Sequence, residues 1–450
     1  MIRNIDGVIK IIHIILFSIG FSLHAYTQTD SSQYLTLKQC IDYALKNQPA
    51  LNKSLINVSI TKTTNAINVS GWYPQVALTG SFTHYIELPV SFFSDSSGSG
   101  GAPVKQRVGV INTFIPELSV TQAIFSPYLF YATKASKLYL QQAEQIADSS
   151  KINVVMSVTK TFYSLLLTLE EINVLKEDTI RLSQNVQDTY HQYVGGIVDE
   201  TDYDQAVISL NNSKAQLLRQ NESVRPQYAS LKQLMGYPPL SQFNVSFDTL
   251  EMMNDIYFDT TQPLQFEKRI EYSQIITNKD LQHRATRYYE NSFLPTISAF
   301  YDNNFEFENN TFSKVFSNVY PSSLIGISID LPIFTGSSRL NNIRKSKLQE
   351  RLIDWDKVNL ESQIYTEYTT ALGNYKADLY NLGVLRDNVD LAKKVYFIVS
   401  MQYKQGIVAY LNLITAESNL ITSEINYINA LFQVLSDKTD LQKAMGFISY

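Results

Sequence analysis

The chain has 450 residues and a formal net charge of −5, which excludes a strongly basic nucleic-acid binder and leaves room for two or three ordinary domains or one elongated fold. One cysteine, Cys40, excludes an internal disulfide framework. Aromatic residues reach 12%, with 29 Tyr and 23 Phe against 2 Trp; such an excess suits surfaces that are part wet and part apolar, membrane interfaces among them.

The N-terminus carries Arg3 and Lys10, then an apolar run over 11–23 that ends at His24-Ala25. Charge, a short apolar core and a small residue predict a secretory signal over 1–25, cleaved near Ala25. The run is too short to favour a membrane-spanning helix, and no later segment reaches 18 consecutive apolar residues. Residues 37–45 have a helical pattern with Cys40 as a small core residue.

Strands are predicted over about 74–92 and 105–126. Val76, Leu78, Phe82 and Ile86 mark the first. In the second, Leu118, Val120 and Ile124 alternate with Ser119, Thr121 and Ala123, while Gln122 breaks the apolar face. Between them, 94–101 is a Ser/Gly-rich loop. From Tyr131 to Gln192 there is no Pro or Gly, which at ~1.5 Å per residue allows roughly 90 Å of helix. Ile152, Val155, Thr159, Phe162, Leu166 and Leu169 follow a 3,4 spacing, a seam that asks for a partner helix. Gly195-Gly196 ends the run in a hairpin turn.

The second half repeats the first. Residues 192–198 (QYVGGIV) return as 402–408 (QYKQGIV), and 231–236 (LKQLMG) as 441–446 (LQKAMG), both at an offset of 210. Trp72-Tyr-Pro-Gln-Val76 is answered by Phe293-Leu-Pro-Thr-Ile297, and Ala123-Ile-Phe125 by Pro332-Ile-Phe334; each latter motif precedes a basic helix start at Lys134 and Lys137 or Arg344 and Lys347. Strands are predicted over about 295–308 and 322–334, with Ile325, Ile327, Ile329, Leu331 and Ile333 on one face. Residues 306–311 read as a solvated loop. Ile364, Tyr368, Ala371 and Tyr375 give the second seam, and Gly406 the second hairpin turn. The organisation is therefore a first repeat over 26–236, a connecting segment over 237–261 and a second repeat over 262–450. The fold class is mainly α with a β portion.

Nothing in this pattern resembles a catalytic or cofactor site. The five His residues (His13, His24, His84, His191, His283) are scattered, no pair has metal-ligand spacing, and 98–101 lacks the Lys-Ser/Thr of a phosphate cradle. Strands with one apolar and one polar face fit either a soluble core or a wall between lipid and water. An exported chain with helices too long to cover a small sheet favours the second. A sheet in lipid must close on itself, and four strands cannot, so copies must pool theirs. Two copies give eight strands and three give twelve; only twelve leave much lumen. A periplasmic coiled-coil adaptor or scaffold would share the signal and the heptads but would not need two copies of paired amphipathic strands.

Residues 35–49 (LTLKQCIDYALKNQP), the Tyr73-Pro74 and Leu294-Pro295 lead-ins to strands, the 331–336 exit (LPIFTG) and the two Tyr-x-x-Gly-Ile-Val turns resemble the TolC-like outer-membrane factors of efflux pumps and type I secretion systems. The likeness spans about 35–446. It implies a tandem-repeat TolC-like fold: a homotrimer whose twelve strands form one barrel in the outer membrane, continued by an α-helical tunnel through the periplasm. It implies as partners outer-membrane lipid, a periplasmic membrane-fusion adaptor and an inner-membrane pump of the RND or ABC type, and it implies no cofactor. The family's entrance lies at the helical hairpin turns, here Gly195, Gly196 and Gly406. By motif position Tyr403 and Asp202 match a Tyr and an Asp that hold the tunnel shut, while the matching Arg position is Val408. Two Asp that form acidic rings in the best-known members are replaced by Asn412 and Thr415. Asp199, Glu200, Asp202 and Asp204 on the first hairpin can supply a negative collar, or can simply complement a helix N-terminus.

Overall fold

The computed structural model describes residues 34–93, 103–246 and 249–450. The expected signal and the 94–101 loop lie outside them. The first repeat comprises β1 (Tyr34–Leu35), α1 (Leu37–Asn47), α2 (Pro49–Val69), β2 (Gln75–His84), β3 (Val90–Phe93), β4 (Val104–Arg107), β5 (Asn112–Phe125), α3 (Pro127–Val194) and α4 (Glu200–Met235). The connecting stretch holds β6 (Asn244–Val245) and α5 (Thr249–Asp255). The second repeat comprises α6 (Ile270–Asn291), β7 (Thr296–Asn309), β8 (Val319–Asp330), α7 (Ser338–Lys404) and α8 (Tyr410–Met445).

Local chemistry sets the helix starts. Thr36 and Gln39 form a reciprocal capping box on α1. Pro49 and Pro127 occupy first turns, where no N–H partner is lost, with Gln48 and Ser126 capping Leu51 and Leu129. The 68 residues of α3 then run for about 100 Å.

Four helix ends share one motif. At Gly196 (φ 71°) the Ile197 N–H donates to the Gln192 carbonyl, and at Gly406 (φ 71°) the Ile407 N–H donates to that of Gln402, both at 2.9 Å. Gly236 and Gly446 do the same through Tyr237 and Phe447. The last two glycines have a second duty. A Cβ on Gly236 would lie 2.4 Å from the Asn47 carbonyl oxygen, and one on Gly446 would lie 2.5 Å from that of Lys268. The end of α4 thus abuts the start of α2, and the end of α8 abuts the start of α6. Two short helices stacked end to end match one long helix in each repeat. Arg269 pins the second junction: buried, it donates to the Ala444 carbonyl of α8 and pairs with Glu271 and with Glu367 of α7.

The helices form a single layer. The long helix α3 packs against both stacked pairs, α2/α4 and α6/α8, whereas the main packing of α7 is against α6 and α8. Burial follows suit. Of the predicted α3 seam, Val155, Thr159, Phe162 and Leu166 are buried, joined by a second row through Val158 and Leu165. On α7 one narrow line is buried, Ile364, Ala371, Tyr375, Leu382 and Val389. The other side of α7 exposes Leu348, Leu352 and Trp355, and α2 exposes Ile56, Ile60 and Ile67. The layer therefore ends in a long helix at one edge and a stacked pair at the other.

The connecting segment braces this layer near its middle. The β1 and β6 strands pair in parallel, and Tyr375 of α7 donates to the Ile256 carbonyl while accepting from the Phe258 N–H. Cys40 is fully buried there, and burial pushes its thiol up to about 12, leaving it an inert core group.

The sheet is antiparallel in the order β2-β5-β7-β8. Its strands differ from the sequence expectation in three places. The first two expected strands each divide, into β2 and β3 and into β4 and β5. Strand β8 stops at Asp330, where its pairing with Thr296 ends; Pro332, two residues on, has no N–H to extend the ladder. Strand β7 runs to Asn309, so residues 306–308, where the expected strand and the expected loop overlap, belong to the strand. Phe305 and Phe307 continue its apolar face, and Glu306 and Glu308, which suggested a loop, form its other face.

Candidate functional site

Register assigns each strand residue to a face. One face combines Val76, Leu78 and Phe82 with Phe114, Leu118 and Val120, then Ile297 and Tyr301, then Ile325, Ile327 and Ile329. It is uncovered: Ile325 is 83% exposed, Ile327 67% and Ile329 66%. The opposite face holds Thr79, Ser119, Thr121, Asn304 and Ser328 together with Glu117, Asp302, Glu306, Glu308 and Asp330. No strand of the four places Lys, Arg or His on that face. A sheet bare on both sides, apolar on one and acidic on the other, is a wall between lipid and water. Its outer strands β2 and β8 each leave one row of backbone groups unpaired, which lipid does not tolerate.

Aromatic side chains band the apolar face at both ends. Phe82, Phe114, Phe307, Phe312 and Phe316 cluster at one end, and Trp72, Phe125 and Phe130 at the other. From Phe114 to Phe125, less one bulged residue, the strand advances about 33 Å, which a tilt of about 40° reduces to about 25 Å, the height of an outer-membrane apolar belt. Gln122, the residue that interrupts the apolar alternation, lies beside the second band and donates its amide to the Trp72 carbonyl. Within the acidic face, Phe300 lies flat over Gly326: a Cβ there would meet its ring at 2.6 Å.

At the far end of the helices, the two hairpin turns are near copies. Gly195, Gly196 and Gly406 are exposed, flanked by exposed Ile197 and Ile407. Asp199 occupies the N-cap position of α4 without a side-chain capping bond, and Asp202 follows in the first turn. These two acids and Glu200 complement the positive end of the α4 dipole. Asn412 and Thr415 lie on the exposed side of α8, where Thr415 bonds back to the Leu411 carbonyl. Tyr403 is buried against Ala206, Tyr410 and Leu413. Its hydroxyl lies 3.2 Å from that of Thr189 on α3, and among the described residues it has no hydrogen bond to Asp202.

Farther from the turns lies a polar cluster that the sequence expectation did not include. Asp178 and Glu417 are buried on α3 and α8 around Arg181, joined by Glu424, Asn185 and Ser213. A charge at a seam position was the available signal: Asp178 falls between Leu175 and Leu182, and Glu417 between Leu413 and Leu420, each at 3,4 or 4,3 spacing. No group of His, Cys, Asp and Glu suited to a metal ion occurs among the described residues.

The sequence pattern of the family described as "Outer membrane efflux protein" matches residues 40–237 and 287–447, most of each repeat but not the connecting stretch or the first part of the second repeat. The chain belongs to that family. Solved structures agree in fold. The outer membrane protein VceC of Vibrio cholerae superposes with a TM-score of 0.72 at 16% identity, over 91% of this chain and 96% of its own. CusC gives 0.75 at 15%, over 91% and 92%, and the CmeC outer membrane channel of Campylobacter jejuni 0.72 at 18%, over 91% and 85%. No curated protein matches significantly by sequence. As an outer membrane efflux protein, the chain resides in the outer membrane, with its helices extending into the periplasm.

Proposed function

We propose that this efflux protein is the outer-membrane duct of a tripartite efflux pump or a type I secretion system, conducting its substrate passively as a homotrimer. The sheet carries the reading: four strands with two open edges and a bare apolar face are a third of a twelve-stranded barrel. The helical layer supports it independently. Its two edges are unlike, α7 on one side and the stacked α2/α4 pair on the other, so identical copies join edge to edge head-to-tail and close into a ring. A periplasmic scaffold would have no use for the uncovered sheet.

In this reading the turns at Gly195, Gly196 and Gly406 are the entrance and the docking points of a membrane-fusion adaptor, which links the duct to an inner-membrane RND or ABC pump. Asp199, Asp202, Tyr403, Asn412 and Thr415 surround that entrance. The pump supplies the energy, so the duct needs no catalytic group. The test is one preparation. Full-length protein extracted from outer membranes in mild detergent should have the mass of three chains, and photo-crosslinkers at Ile197 and Ile407 should capture a periplasmic adaptor. A mass near one chain, or recovery in the soluble periplasm, would overturn the duct.

The lumen wall makes a second expectation. Glu117, Asp302, Glu306, Glu308 and Asp330 repeat in every copy with no Lys, Arg or His on the same face of the four strands. In a planar bilayer under a salt gradient the reversal potential should show cations preferred over anions. Asp302→Asn combined with Glu306→Gln should weaken that preference, and an anion-selective wild type would refute the face assignment.

A further inference from the structure

The polar cluster at Arg181 is unusual in its geometry. Three buried carboxylate oxygens converge on one guanidinium without a hydrogen bond to it, Asp178 Oδ1 at 3.7 Å, Glu417 Oε1 at 3.7 Å and Glu424 Oε2 at 3.9 Å, and the exposed Glu177 adds a fourth carboxylate at 4.0 Å. These three oxygens, with Nε and Nη2 of Arg181, are buried and have no hydrogen-bond partner. Asp178 is 2% exposed and Glu417 1%. The other oxygen of each is satisfied, Asp178 Oδ2 by Ser213 of α4 at 2.6 Å and Glu417 Oε2 by Asn185 of α3 at 2.7 Å. A buried carboxylate oxygen without a donor is costly, and a second one beside it more so. A proton on Glu417 Oε1 removes one of the two buried negative charges.

We propose that Glu417 is a proton-sensing contact between the two helical hairpins, holding its proton more tightly while α8 is packed on α3 than when the hairpins part. The cluster is placed for this. Asn185 and Arg181 of α3 reach Glu417 and Glu424 of α8, so the hairpin α3/α4 is joined to the hairpin α7/α8 above the periplasmic turns. The charged and titratable groups around Glu417 come from three helices. The α3 helix presents Asp178, Arg181 and, on the far side of Arg181, Glu177; α7 presents Tyr396, Tyr403 and Lys393 (3.6 Å from Glu424), and α8 itself presents Tyr410 and Glu424. Ser213 of α4 is neutral. Burial is the main force on Glu417, Asp178 adds to it, and Arg181 and Asn185 oppose it; the net effect pushes its carboxyl up to about 7.

The sign follows from linkage. A carboxyl raised in the packed state binds its proton more tightly there than when the hairpins are apart, where it titrates near its ordinary value of 4.5. Packing is therefore strongest in acid, weakens as pH climbs from that value to about 7, and changes little beyond. Between pH 6 and pH 8 the hairpin-parting equilibrium should rise about tenfold.

Amide hydrogen exchange on the assembled full-length protein reads this directly. After correction for intrinsic exchange rates, peptides covering 178–190 and 410–424 should exchange about tenfold faster at pH 8 than at pH 6. Peptides near Asp437, the other buried acid of α8, also pushed up to about 7 by burial and by Asp378, report that group separately. Glu417→Gln keeps an acceptor for Asn185 but cannot ionise, so its exchange over these two segments should be slow and equal at both pH values. A wild type with no pH dependence in the two segments overturns the proposal whether or not the variant assembles, and so does a Glu417→Gln protein that keeps the wild-type dependence.

Discussion

Gly236→Ala is expected to destabilise the efflux protein by about 3–5 kcal/mol, whereas Gly406→Ala, at nearly the same backbone angle, should cost only about 1–2 kcal/mol. Both glycines hold a left-handed residue at a helix C-terminus, with φ of 68° and 71°, so both substitutions incur the same conformational penalty. They differ in what a methyl group meets. At Gly406 nothing lies within 4 Å. At Gly236 the new carbon would stand 2.4 Å from the Asn47 carbonyl oxygen, 2.8 Å from its carbon and 3.0 Å from the Gln48 Cα, all backbone, which no rotamer change can clear. Relief requires pulling α4 off the start of α2 and so breaking the stack that lets two short helices match α3. Gly446→Ala should behave like Gly236→Ala, because it meets Lys268 in the same way. Urea unfolding of the detergent-solubilised protein, with the yield of assembled protein in the outer membrane, measures the contrast. Equal losses at 236 and 406 would mean that conformational strain alone decides and that the stacked junction carries no load.

This contrast marks where sequence reasoning reaches its limit. The repeat was legible because side-chain patterns survive duplication: the two Tyr-x-x-Gly-Ile-Val turns and the two Met-Gly ends recur at one offset, and the folded turns are near copies. The period-two alternation of β8 was legible for the same reason, since a strand buried on neither side writes its two environments directly into successive residues. What the sequence hid depends on residues far apart in the chain. Gly236 and Gly406 look alike as helix terminators, and only the arrival of Asn47, some 190 residues upstream, separates them. Glu306 and Glu308 suggested a loop because charge clusters usually do, yet in β7 they are the polar half of an ordinary alternation. Tyr403 and Asp202 were matched to a gating pair by motif position alone, which does not reveal that within one chain the Tyr403 hydroxyl lies beside that of Thr189 on the neighbouring long helix. Asp178 and Glu417 interrupted their seams in plain view, but a lone charge in a seam does not name its partners until the helices are laid side by side.

The largest effect expected in the sheet is that of a charge on its lipid face. Ile325→Lys places an ammonium near the middle of β8, between the two aromatic bands, on a face with no covering side chain. Near the midplane such a charge costs about 2–4 kcal/mol per copy, or about 6–12 kcal/mol in a barrel made from three chains. The neighbouring copy offers no relief, because β8 is an edge strand and its new partner would turn the same face to lipid. Ser322→Lys, only three residues away, changes the same strand in the opposite sense. Ser322 pairs with Asn304 on the acidic face, between Asp302 and Glu306 in register, so its ammonium would sit in water among carboxylates. The pair therefore isolates the environment from the chemistry of the substitution. In outer-membrane fractions, Ile325→Lys should lower assembled protein at least tenfold, while Ser322→Lys should assemble normally and shift the reversal potential away from cations. Equal assembly of the two variants would show that neither face meets lipid, and the barrel would have to be abandoned for a sheet covered by another protein.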